Sequence, residues 1–167
     1  MEKRDLYDEK RNLIGKTIFK GEEPPEGTFI VVVLVFIQNK DGKFLMQKRS
    51  AQKEGKYATT GGHPKHGESS IEGIITEVKE EIGYDMNKDD LVLYETGVVP
   101  EKRVFYDDYY LKVDDIDISK LVLQKEEVES LRWMTEEEVR NEMAKGNYFK
   151  NHFEEFEILI DWLKMRG

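Results

Sequence analysis

The stretch Gly62-His63-Pro64-Lys65-His66-Gly67-Glu68-Ser69-Ser70-Ile71-Glu72-Gly73-Ile74-Ile75-Thr76-Glu77-Val78-Lys79-Glu80-Glu81-Ile82-Gly83-Tyr84 runs from a glycine-rich loop into a helix. Ser69 and Glu72 have capping-box spacing, in which side chain and backbone satisfy each other's free donors. Gly83 is the natural stop. At 100° per residue, Ile71, Ile74, Ile75, Val78 and Ile82 share one stripe that must face a core. Glu77, Glu80 and Glu81 fall within an arc of about 100° beside that stripe. They sit at the border where the helix meets the rest of the fold. Most helical glutamates only solvate a surface. Here Glu77 and Glu81 form an i, i+4 like-charge pair near the C-terminal end, where the helix dipole disfavours anions, and Lys79 lies on another face. A bound cation would remove that deficit.

The residues just upstream, Thr59-Thr60-Gly61-Gly62-His63-Pro64, allow backbone to approach a ligand closely. Carboxylates with a carbonyl make a hard oxygen site suited to Mg²⁺ or Mn²⁺.

Working outward, an N-terminal hairpin is expected to pair residues near Leu6-Tyr7 with Lys16 to Phe19, turning around Asn12. Glu22 to Gly27 then reads as a loop. Phe29 to Ile37 is a central strand. Asn39-Lys40-Asp41-Gly42 is a turn, and Phe44 to Arg49 returns as its partner strand. Ser50 to Glu68 is a long irregular stretch of the kind that often carries function. Strands follow near Leu91 to Val98, Val104 to Val113 and Val128 to Met134. Thr135 and Glu138 open a helix to about Lys145, and His152 to Lys164 forms a last amphipathic helix. The order indicates an α/β layered domain with a mixed sheet and an N-terminal β-hairpin. A single domain over residues 1–167 is expected, with 1–27 as a hairpin-and-loop extension.

The 167 residues carry a formal charge of −9 and no cysteine. That excludes a disulfide framework, a cysteine nucleophile and a thiolate metal site. Lysines and glutamates are mixed along the chain, so no basic patch points to nucleic acid. The charged N-terminus lacks a secretory h-region, and the longest apolar run is too short to span a bilayer. A cytoplasmic protein without a membrane partner, monomeric or homodimeric, is expected.

The quoted stretch resembles the Nudix hydrolase signature, G-x5-E-x7-R-E-U-x-E-E-x-G-U, with U a bulky apolar residue. Gly62, Glu68, Glu77, Glu80, Glu81 and Gly83 all stand where it requires. At about 7% per residue, such agreement at one given start has odds on the order of one in ten million. Two positions depart: Thr76 replaces the arginine that orients a carboxylate, and Tyr84 takes the last apolar place.

The resemblance implies a Nudix-type α/β/α sandwich and a Mg²⁺-dependent pyrophosphohydrolase acting on a small diphosphate-containing metabolite. It implies Glu80 and Glu81 as metal ligands, Glu77 as a further ligand or water-orienting carboxylate, and the Gly61 carbonyl alongside them. Glu68 would support the site from behind. Glu127, on a loop outside the signature, is the candidate catalytic base. Arg49, Gly62 and Arg103 are candidates to meet the substrate. Thr76 motivates an alternative, a catalytically impaired module that binds a nucleotide or metabolite.

The hairpin, Gln47-Lys48-Arg49-Ser50 and Gly62-His63-Pro64 are similar to the isopentenyl diphosphate isomerase branch. That enzyme's cysteine is replaced here by Gly61, and only His63, His66 and His152 remain to supply imidazole. Its chemistry therefore ranks below the other two readings.

Overall fold

The computed structural model describes residues 2–167. The organising strand is β3 (Ile30–Gln38). Its odd-numbered residues Val31, Val33, Val35 and Ile37 enter one core, while Leu34 and Phe36 enter another. A strand apolar on both faces needs a layer on each side. The first core is closed by α1 (Ser70–Ile82), through Ile74, Val78 and Ile82. The second is closed by α2 (Glu136–Ala144) and α3 (Phe153–Arg166), through Val139, Phe156, Leu159 and Ile160. Ile74 and Val78 are fully buried, and each contributes about 1.5–3 kcal/mol by leaving water. The result is an α/β/α sandwich.

The N-terminal hairpin forms from β1 (Lys3–Tyr7) and β2 (Leu13–Phe19). Its register departs from expectation: Lys3 faces Phe19, Asp5 faces Thr17, and Tyr7 faces Leu13 across an irregularity. The Asp8 carboxylate accepts from Lys10 N and Asn12 N, which sets the turn ahead of Asn12. His66 Nδ1 lies 2.6 Å from Asp5 Oδ1 and fastens the hairpin to the loop before α1.

The second departure shapes the site. β4 (Phe44–Arg49) was expected to run back along β3, yet the two pair only at Gln38 and Phe44. β4 then diverges to pair with β9 (Val128–Met134) and with β5 (Tyr57–Ala58). The neighbours of β3 are the parallel β8 (Val104–Lys112) and the short antiparallel β6 (Thr60–Gly62). β7 (Val92–Val99) completes the sheet beside β8. The stretch after Arg49 is thus not wholly irregular, because β5 and β6 fill the split between β3 and β4. Thr59 and Gln47 explain why the split persists. Thr59 donates its hydroxyl to Val35 O, and Gln47 Nε2 donates to Thr60 Oγ1 at 3.0 Å, so polar side chains bridge it.

Both capping boxes are present, at Ser69/Glu72 and Thr135/Glu138, and Gly83 ends α1 in the left-handed conformation, φ 73°. No described helix is long and apolar enough to cross a membrane.

Candidate active site

Where β3 and β4 part, a cavity of about 490 Å³ opens. Glu77, Glu80 and Glu81 of α1 reach it from one side, and Gly61 and Gly62 of β6 form its rim.

Glu77 depends on Gly62. A Cβ built at Gly62 would stand 2.7 Å from Glu77 Oε2 and 2.8 Å from its Cγ, so any side chain there would displace the carboxyl. Glu77 and Glu81 share a hydrogen bond, and Gln47 Nε2 donates to Glu81 Oε1 at 3.3 Å. Burial pushes Glu81 up to about 9, helped by the Glu77 hydrogen bond and charge. Burial also raises Glu77, against the opposing Glu81 hydrogen bond and the nearby Lys65. Neighbouring carboxylates disfavour each other's charge, and a cation between them would relieve that cost.

Lys65 supplies one charge. Its Nζ lies 3.0 Å from Glu80 Oε1 and 3.8 Å from Glu77 Oε1. Burial pulls the ammonium down, but the Glu80 and Glu77 carboxylates more than offset it. Lys79, as its helical position requires, turns away and pairs with Asp85 at 3.1 Å.

With Glu80 turned to Lys65, no three described His, Asp or Glu side chains form a finished metal cage. The donor chemistry nevertheless fits a divalent cation. Three carboxylates of one helix line the cavity, and a missing Cβ leaves room for a carboxyl at the rim. Glu77, Glu80, Glu81 and the Gly61 carbonyl are the groups that would hold it.

Glu68 stays out of the cavity. Its Oε1 accepts from Lys65 N at 2.7 Å, and its Oε2 accepts from the Thr76 hydroxyl at 2.6 Å. Thr76 therefore makes a carboxylate contact from the arginine position, and the pair ties the Lys65 loop to α1.

Glu127 does line the cavity, with Lys53 Nζ 3.1 Å from its Oε2. Its charge contributes to raising Glu81. Arg49 also lines it, with its guanidinium 4.2 Å from the Phe149 ring centre. Arg103 does not fit its expected role. It lies outside the cavity lining, in a left-handed turn before β8, where its carbonyl accepts from Ile30 N at 3.1 Å. The turn, not the charge, determines its position.

Sequence reasoning missed five cavity residues of note, and Lys65 beside the cavity's glutamates. Lys65 sits inside the signature but off the helix. Arg4 and Lys20 come from the hairpin, a long way off in sequence. Asp108, His152 and Glu155 line the α3 side. One signal was available: Asp107-Asp108 interrupts an apolar strand, and adjacent strand residues face opposite sides, so each must be buried in its own layer. His63 also borders the cavity. Burial, then the charges of Arg4 and Lys20, lower it to about 3, so it stays neutral.

A sheet split beside a glutamate-bearing helix, inside an α/β/α sandwich, defines a Nudix-type fold. The NUDIX domain family model matches residues 28–154, and the chain belongs to that family. It is 35% identical over 157 residues to an uncharacterised Nudix hydrolase of Listeria monocytogenes, covering 92% of this chain and 91% of the relative. A Listeria innocua counterpart, also an uncharacterised Nudix hydrolase, is 34% identical with the same coverage. The fold is shared with the crystal structure of a Deinococcus radiodurans protein at a TM-score of 0.68, 22% identity, and 88% and 91% coverage of the two chains. The class is thus that of the Nudix hydrolases, pyrophosphohydrolases of small diphosphate-containing molecules.

Proposed function

We propose that this chain hydrolyses the phosphoanhydride bond of a nucleoside-diphosphate-linked or related metabolite with the help of Mg²⁺. The observation that carries the reading is the Glu77/Glu81 pair, lining one cavity on α1 with the Glu77 carboxyl seated in the space that Gly62 leaves open.

A divalent cation bound there would neutralise phosphate oxygens and favour attack at phosphorus. Arg49, Arg4 and Lys20 border the same cavity and would meet the remaining phosphate charge. Glu127, oriented by Lys53, would take the proton from the attacking water. Glu68, acting through Thr76 and Lys65 N, would hold the loop in register with α1. The Thr76–Glu68 bond favours turnover over the impaired binding module, because a donor does meet that carboxylate. Gly61 in place of the isomerase cysteine argues against isomerase chemistry.

The test is a panel of dinucleotide, nucleoside-diphosphate-sugar and nucleoside di- and triphosphate substrates with Mg²⁺ or Mn²⁺, with products resolved by chromatography. Cleavage of an anhydride bond is expected. Thermal stabilisation by a panel member with no product would favour the binding module.

A further inference from the structure

The cavity has a second chemistry, on the α3 side of the sheet. Asp108 of β8 is only 2% exposed and lies beside Leu34 of β3 in register. Glu155 enters from the first turn of α3, whose position is fixed by Tyr94 Oη donating to Glu155 O at 2.9 Å. His152 joins them from the turn before α3, and its Nε2 would lie 3.6 Å from a Cβ at Gly61, next to the glutamate end. Five buried side-chain atoms among the described residues have no hydrogen-bond partner, and three of them, Asp108 Oδ2, Glu155 Oε2 and His152 Nδ1, lie on this side, the others being Arg4 Nε and Lys65 Nζ. All three residues line the one cavity. Buried polar atoms are normally paired, and each unpaired one costs about 1–3 kcal/mol. Three in one wall, none used by the hydrolytic groups, mark a surface shaped for a hydrogen-bonding ligand.

The chemistry of that ligand follows from the wall. Lys102 acts on Glu155, and Arg49 on His152, through charge alone and without a hydrogen bond to the unpaired atoms. Burial, then the charges of Glu155, Glu95 and Asp107, push Asp108 up to about 8. A neutral carboxyl presents a donor and an acceptor side by side, and an ionised one presents acceptors only. A planar ring edge with an amino group next to a ring nitrogen matches the first, and its spare amino hydrogen suits the second. Phe149, braced by Arg49, adds an apolar face to the same cavity.

We propose that Asp108 and Glu155 form a base-recognition site, which selects nucleoside diphosphate compounds whose base carries an amino group beside a ring nitrogen acceptor. This rests on the hydrolase reading for the placement of the diphosphate at the α1 side, and it names the half of the substrate that reading leaves open.

The test separates base recognition from chemistry. Dissociation constants are measured for the non-hydrolysable α,β-methylene analogues of ADP, CDP, IDP and UDP with Mg²⁺ present, beside turnover of their natural counterparts. The two amino-bearing analogues are expected to bind about tenfold or more tighter than their oxo partners. Asp108→Leu should reduce that ratio to within about threefold, whereas Asp108→Asn, which keeps a donor and an acceptor, should retain most of it. Glu155→Leu repeats the test if Asp108→Leu fails to fold. Equal binding of all four analogues by the unmodified protein, or a ratio untouched by the leucine variants, overturns the proposal. Selective binding without turnover would leave the base site standing and sink the hydrolase reading. Turnover without selectivity would do the reverse.

Discussion

The Glu77 carboxyl occupies the space that a side chain at residue 62 would fill, with Oε2 2.7 Å from where a Gly62 Cβ would stand. Gly62→Ala must therefore move the carboxyl or the strand. A misplacement near 1 Å lowers turnover by about 10²-fold. We expect that loss with a near-native melting temperature. Steady-state kinetics beside thermal denaturation check it, and full activity in the alanine variant would show that Glu77 has no positional role.

Thr76 and Glu68 give a second prediction. Removing the hydroxyl leaves Glu68 Oε2 without the 2.6 Å bond that ties the Lys65 loop to α1. Thr76→Val should destabilise the fold by about 1–2 kcal/mol and lower turnover. Thr76→Ser should preserve both. Urea titration and kinetics on the pair separate a bonding role from a packing one, since valine keeps the volume.

Arg11 and Asp107 tie the hairpin to β8, with Arg11 Nη1 2.9 Å from Asp107 Oδ1 and Nη2 2.5 Å from Oδ2. Burial alone would raise Asp107, but the hydrogen bonds from Arg11, Ser70 and Thr96 hold it below the usual carboxylate range. A depressed acid contributes stability above its unfolded pKa, and that contribution fades as pH falls through the folded value. Arg11 is partly exposed, which tempers the effect. Arg11→Ala should lose about 2 kcal/mol at pH 7. The gap to the unmodified protein should close below about pH 4. A gap that widened on acidification would contradict the assignment.

Asp108 predicts the opposite slope. Its folded value, pushed up to about 8, lies above the unfolded carboxylate value. The unfolded chain thus releases this proton first, and the folded state loses stability as pH rises from about 4 towards about 8. Asp108→Asn removes the term. It should melt higher than the unmodified protein at pH 8 and show a smaller difference at pH 4. Parallel melting curves across that range would refute the burial of an unpaired acid here.

Much of this was legible in the sequence, for identifiable reasons. The α1 boundaries were readable because capping box, apolar stripe and terminal glycine agree. The two-faced β3 announced itself by an unbroken valine-rich run. The hairpin register was not readable, because the irregularity between Asp5 and Tyr7 lets several β2 residues bulge past one β1 residue. The divergence of β4 from β3 was invisible for a related reason. A tight turn predicts pairing at its own end only, and the split is held open by Thr59 and Gln47 contacts that depend on tertiary structure. The glutamate cluster followed from helical periodicity, whereas Lys65, Arg4 and Lys20 arrive from loops and a hairpin with no periodic signature. Arg103 shows the converse, a basic residue whose place is decided by backbone conformation.

Metal-dependent hydrolysis at the α1 glutamates is tested by turnover of the best panel substrate as a function of Mg²⁺, for the unmodified protein, Glu80→Gln and Glu81→Gln, with folding verified by circular dichroism. Saturable dependence on Mg²⁺ is expected, with a loss of at least about 10²-fold in either folded variant. Turnover that persists in a chelator, or that both glutamine variants leave unchanged, would contradict it.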